Sequence, residues 1–229
     1  MYSRPGIVYG FHGCDRRTAE TVLCSHTQHL KSSKNQYDWL GNGIYFWEAS
    51  PERGLAFARE AKIRRKISQG RIQHPYVVGA VIELGHCLNL LDHAGLQEMR
   101  TAHQMLKLST EAEGKKLPSN KAKDKSGAYL VRTLDCAVLQ YLHELRAGAE
   151  LPAYDSVIGA LWEGNDLYDG AGITDKNHVQ ICIRNTDCIR GYFRVRELEN
   201  EDLGRWDLPL QNVRPRTAKR FPNKLVKKK

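Results

Sequence analysis

The chain reads as one α+β domain, and three observations predict that class. Segments with strand character gather at both ends, at residues 7–11, 43–47 and 76–84 and again at 154–162, 178–184 and 188–196. Two long stretches with helical spacing of apolar residues, 92–113 and 129–146, lie between the two sets. Strands and helices do not alternate as they would in a parallel α/β sheet, so a strand-rich core carrying an inserted helical segment is expected. With 229 residues and 41% hydrophobic content, the chain can fill one substantial core. Internal repeats and heptads are absent from the sequence.

Each element follows from local chemistry. Residues 7–11 (Ile-Val-Tyr-Gly-Phe) form a strand that runs into His12-Gly13, and Asp15 can cap a short helix with Ala19, Val22 and Leu23 on one face. Residues 31–42 are polar and read as a loop. The strand 43–47 precedes a helix start in which Ser50 can cap, Pro51 suits the first helical position and Glu52 complements the dipole. That helix is expected to reach Ile67, with the basic run 62–66 as a solvated face. Residues 76–84 are rich in β-branched side chains and read as a buried strand. Residues 114–127 read as a Lys-rich loop, and Leu130, Leu134, Val138 and Leu142 recur at four-residue steps in the second long helix. A Gly/Asp-rich loop at 163–177 leads to the last two strands.

Charge is unevenly spread. Eight basic residues and no acid lie between Arg214 and Lys229, so of the net +9 about +1 belongs to everything before them. The reading is a body at 1–213, with its helical insertion at roughly 90–150, and a basic tail at 214–229 suited to polyanions. No apolar run approaches the roughly 20 residues that span a bilayer, and no apolar leader precedes the first strand; a cytoplasmic protein without a membrane partner is expected. The six cysteines form no C-x-x-C pair, which argues against a zinc site. Cys14, beside His12, reads as a packed thiol rather than a nucleophile.

The most informative residues are Phe11-His12-Gly13, the later Gly41-Asn42-Gly43-Ile44-Tyr45-Phe46-Trp47, and the distant block His178-Val179-Gln180-Ile181-Cys182-Ile183-Arg184. In this order they resemble the NAD-binding core of ADP-ribosyltransferases of the diphtheria-toxin and poly(ADP-ribose) polymerase type, over roughly residues 6–60 and 154–196. The resemblance implies a split β-sandwich that binds NAD as a substrate and needs no metal. It implies that Gly13 pairs through its backbone with the nicotinamide carboxamide, that His12 holds the adenosine ribose and that Tyr45 stacks on nicotinamide. Gly41 and Gly43 would relax the loop over the cofactor. Gln180 stands where chain-building members carry glutamate. A carboxamide can hydrogen-bond the ribose but cannot take a proton. Transfer of single ADP-ribose units is therefore implied, with Glu163 as the first candidate base and Asp166, Asp169 and His178 behind it.

The function expected is a mono-ADP-ribosyltransferase acting on a macromolecule. The basic tail and the lysines between 115 and 125 favour a nucleic acid, RNA or DNA, over a protein acceptor. Small members of the group act as toxins or phage-defence effectors, which would bring an antitoxin partner. Three other readings stand beside it: a protein-targeting transferase, an NAD glycohydrolase, and a non-enzymatic nucleic-acid-binding protein in which His12 and Tyr45 are structural. For the last, no helix-turn-helix, zinc-finger or RNA-binding signature is found.

Overall fold

A computed structural model describes residues 6–68, 70–123 and 127–196. The chain divides into two units, Met1–Arg196 and Glu197–Lys229, and the basic segment 214–229 lies outside the described residues. The first unit is an α+β domain with a large, mostly antiparallel sheet and four helices.

In chain order the elements are β1 (Ile7–Asp15), α1 (Arg16–Cys24), β2 (Ile44–Glu48), α2 (Pro51–Ile63), β3 (Pro75–Glu83), β4 (Cys87–Asn89), α3 (His93–Ala112), β5 (Lys121–Lys123), β6 (Tyr129–Val131), α4 (Thr133–Gly148), β7 (Ser156–Leu161), β8 (His178–Ile183) and β9 (Ile189–Arg194). Seven strands join in the order β4-β7-β8-β2-β1-β3-β9, and β5 and β6 make a separate ribbon. β4 runs parallel to β7, and every other neighbouring pair is antiparallel. β3, paired on both sides by β1 and β9, is buried along most of its length, as a continuous Val/Ile-rich strand in a covered sheet should be.

The two faces of the sheet carry different layers. On one, α1 lies over β1, β3 and β9, and its Ala19 and Val22 join a core cluster with Ile44, Phe46, Val78, Ile82, Ile158 and Ile181. On the other, α2 covers β1 and β3, while α4 packs Val138, Leu139 and Leu142 against Val157 and Cys182. Between α2 and α4 this second face presents Tyr45 and Trp47 of β2 and, opposite Trp47 in the register, Gln180 of β8.

Several expectations are corrected in detail. The second long helix starts at Thr133, not 129, because Tyr129–Val131 pairs with Lys121–Lys123 and the Lys123 ammonium sits 4.7 Å from the Tyr129 ring centroid. Asn120, in the stretch expected as a Lys-rich loop, caps α4 through its side-chain oxygen, which accepts from the N–H groups of Leu134 and Asp135 at 2.8 and 3.3 Å. α2 stops at Ile63, and a short 3₁₀ turn, Arg65–Ile67, follows. Pro51 does open α2, although Ser50 makes no side-chain cap bond; Asp15 caps α1 by accepting from Arg17 N–H at 3.0 Å. No helix among the described residues is long and apolar enough to cross a membrane.

Candidate active site

The site begins where two strands part. β1 and β3 stay in register from Ile7↔Glu83 to Asp15↔Pro75, but the β1–β2 register ends at Phe11↔Trp47. Tyr9 C=O accepts from Ala49 N–H at 2.9 Å, so by alternation the odd-numbered residues of β1 turn their backbone groups toward β2. Gly13 would be next in that ladder, opposite Tyr45. Instead the Nδ1 of His12 meets the Tyr45 carbonyl at 2.7 Å. The ladder is thus replaced by a side chain at this level, and the β1–β2 pairing does not reach Gly13.

His12 is held in one state. Its Nδ1 must carry the proton, since a carbonyl only accepts, which leaves Nε2 with its lone pair. Burial lowers its pKa, and the bond to the Tyr45 carbonyl offsets that only in part. The neutral ring can therefore accept a hydroxyl proton through Nε2. It lies beside Phe46, with ring centroids 5.8 Å apart, on the face opposite Gly13 and Tyr45.

Gly13 is glycine for a packing reason as well. A Cβ there would lie 2.0 Å from the Gly54 carbonyl oxygen in α2. Gly43 is likewise walled in, with its virtual Cβ 2.4 Å from Cys182 Sγ, and its N–H and C=O both bond to Ser33. Its backbone polar groups are therefore committed within the protein. Gly41 adopts a positive φ of 77°, as the loop requires. The Tyr45 hydroxyl donates to Gly41 C=O at 2.8 Å and accepts from Leu40 N–H at 3.0 Å, and burial pushes its pKa well up. That hydroxyl anchors the loop, so a ligand can use only the ring.

Gln180 is buried, and its Oε1 accepts from the Trp39 indole N–H at 2.7 Å. An indole nitrogen only donates, which settles the orientation of the amide. Gln180 is left with its NH₂ group, a donor. Trp39 also underlies Arg132, whose guanidinium carbon is 5.2 Å from the ring centroid.

Glu163 completes the opposite wall. Its Oε2 lies 3.2 Å from Nη2 of Arg53, which reaches over Trp47 at 5.7 Å from the ring centroid. Burial raises the Glu163 pKa, with Arg53, Arg132 and Lys176 pulling it back. His178 stands 6.2 Å from Trp47 by ring centroids and donates from Nδ1 to Lys176 C=O at 2.7 Å. Burial lowers its pKa to about 4, so its Nε2 lone pair persists at neutral pH. Trp47 Nε1, Arg53 Nε and His178 Nε2 are all buried and meet no partner among the described residues. Of the three atoms, two are donors and one is an acceptor.

The structure therefore brings together His12, Gly13 and Tyr45 at the parting of the strands, and Gln180, Glu163 and His178 on the face beside it. Asp166 and Asp169 lie exposed on the loop that leads to β8. Cys14 is buried and its thiol is pushed up to about 12, which removes it as a nucleophile. Among the described residues no three His, Cys, Asp or Glu side chains gather as metal ligands. Trp39, Arg53 and Arg132 are site residues that sequence reading missed. Arg53 carried a signal: a cation in the first turn of a helix opposes the dipole and implies a partner elsewhere.

No family model, curated protein or solved structure matches this chain.

Proposed function

We propose that the protein is a mono-ADP-ribosyltransferase that cleaves NAD and transfers ADP-ribose to a macromolecule, with nucleic acid favoured over protein, on a split-sandwich core. The observation that carries this reading is the end of the β1–β2 ladder at Phe11↔Trp47, which does not reach Gly13. A carboxamide has one donor and one acceptor side by side, and so does the free edge of a strand residue. Nicotinamide can pair there while the Tyr45 ring fixes its plane, and His12 Nε2 accepts from a ribose hydroxyl.

In the reaction the bond from ribose C1 to the nicotinamide nitrogen breaks, its electron pair passing to the ring and discharging the pyridinium. The acceptor attacks C1 and loses a proton. Gln180 donates to a ribose oxygen through its NH₂, because Trp39 occupies its Oε1. Glu163 takes the proton: burial makes it more basic than an ordinary carboxylate, and Arg53 keeps it ionised. Product chains stay at one unit, since no carboxylate stands at Gln180 to activate a further ribose.

The direct test follows nicotinamide release from NAD by wild type, His12→Ala and Tyr45→Ala, with melting curves as a check on folding. Release by wild type and its loss in both folded variants supports the reading. Full activity in both variants removes it.

A further inference from the structure

We infer that the folded body holds the phosphate backbone of a nucleic-acid strand on a basic face at the far end of β1. This surface supplies the acceptor for the function proposed above and rests on that reading only for its route to the cleft. A cavity of about 340 Å³ is lined by Lys62, Arg65, Arg71, Ile72, Gln73 and His74. Arg16 and Arg17 border it: Arg16 N–H donates to His74 C=O at 2.9 Å, and Arg17 shares Asp15 with Gln73 and His74.

These basic side chains are exposed, and none of Arg16, Arg17, Lys62, Arg65 or Arg71 meets a carboxylate at ion-pair distance among the described residues. Arg53, Arg132, Arg146 and Arg190, by contrast, each hold one. The acid at this place, Asp15, turns its carboxylate to three backbone N–H groups, those of Arg17, Gln73 and His74, at 3.0, 2.6 and 2.9 Å. It ties the end of β1 to the approach of β3 and so fixes the basic groups around the cavity.

The lining offers donors and positive charge around a single apolar side chain, which is the chemistry of an anion site. The volume exceeds that of one phosphate and admits a phosphate with its sugar. Apart from the His74 imidazole, no aromatic side chain lines it on which a base could stack, so contact is with the backbone and blind to sequence. The route to the cleft is short: His12 and Asp15 are three strand residues apart, about 10 Å.

The test compares full-length protein with Lys62→Glu/Arg65→Glu/Arg71→Glu, using fluorescent single-stranded RNA and DNA of the same mixed sequence and anisotropy at salt from about 50 to about 200 mM. Affinity for both strands should fall about tenfold or more, and the salt slope should flatten by about two for three lost phosphate contacts. Arg65→Lys/Arg71→Lys should keep wild-type binding, because charge rather than fork geometry is required. If the glutamate variant fails to melt cooperatively, Lys62→Gln/Arg65→Gln/Arg71→Gln gives the same reading. Unchanged affinity and slope overturn the inference, as does a loss confined to RNA or to DNA. Weakened NAD binding with nucleic-acid affinity intact also overturns it, by assigning the cavity to the dinucleotide. Nicotinamide release by wild type, measured separately, reports on the transferase reading alone.

Discussion

Replacing Gly13 by alanine tests the geometry on which the site depends. A methyl group at this position would lie 2.0 Å from Gly54 O, 2.9 Å from Gly54 C and 3.3 Å from Ala58 N. All three are backbone atoms of α2, so no side chain can swing away. Relief requires α2 to lift off β1 by more than about 1 Å, since carbon and oxygen in van der Waals contact sit well beyond 3 Å. Overpacking of this kind costs about 1–3 kcal/mol, and the rigid neighbour puts Gly13→Ala toward the upper end. In a domain of this size each kcal/mol moves the melting temperature by about 2–4 °C, so a fall of about 6–12 °C is expected. Gly191→Ala serves as the control, because nothing lies within 4 Å of a Cβ there. Calorimetry on both variants decides the matter. A Gly13→Ala protein that melts with wild type would show that α2 does not rest on β1, and the wall bearing Arg53 would lose its position.

Other outcomes follow from the same contacts. Trp39→Phe removes the donor to Gln180 Oε1 and should cost about 1–3 kcal/mol, read by urea unfolding, because the oxygen stays buried without a partner. Glu163→Gln should leave NAD affinity intact by calorimetry and slow transfer by about a hundredfold, in line with the loss of a general base; unchanged transfer would move that role to His178. His12, His143 and His178 all have pKa values lowered by burial, to about 3 for His143 and about 4 for His178. His143 and His178 stay neutral in the fold while the unfolded chain takes up protons near pH 6.5, so stability should fall as pH drops from about 6.5 toward about 4, by up to about 1.4 kcal/mol per pH unit for each of these two, and His12 acts in the same direction. Urea midpoints should show this, and His143→Leu should flatten the slope.

The class of fold was legible because apolar spacing and β-branched runs report burial directly. β3 and β8 were clear for that reason, and α3 matches the expected stretch to within a residue at each end. α4 was placed early, because a Leu-bearing Tyr129–Val131 fits the same four-residue step whether it coils or pairs, and only its partner Lys121–Lys123 decides. At the candidate site, His12, Gly13 and Tyr45 stand out in the sequence only through the order of Phe11-His12-Gly13 and the later block 41–47 taken together. What could not be read was that His12 takes the Tyr45 carbonyl, that Trp39 turns Gln180 into a donor, or that Arg53 meets Glu163 across 110 residues. Such pairings depend on distances set by the sheet register, which no local stretch encodes. The basic face is of the same kind: Arg16 is far in the chain from the cavity lining at 71–74 and comes beside it only because β1 ends next to the approach to β3, where Arg16 N–H bonds His74 C=O.

In the function proposed above, the parted strands hold NAD for a single transfer. The measurement that tests it most directly incubates the full chain with NAD labelled in its adenosine half, together with RNA, DNA and cell protein, and resolves each product by mass spectrometry. The expected result is nicotinamide release with one ADP-ribose unit attached to nucleic acid, abolished by His12→Ala in a protein that still folds. Absence of any NAD cleavage, or cleavage that persists in His12→Ala, would contradict it.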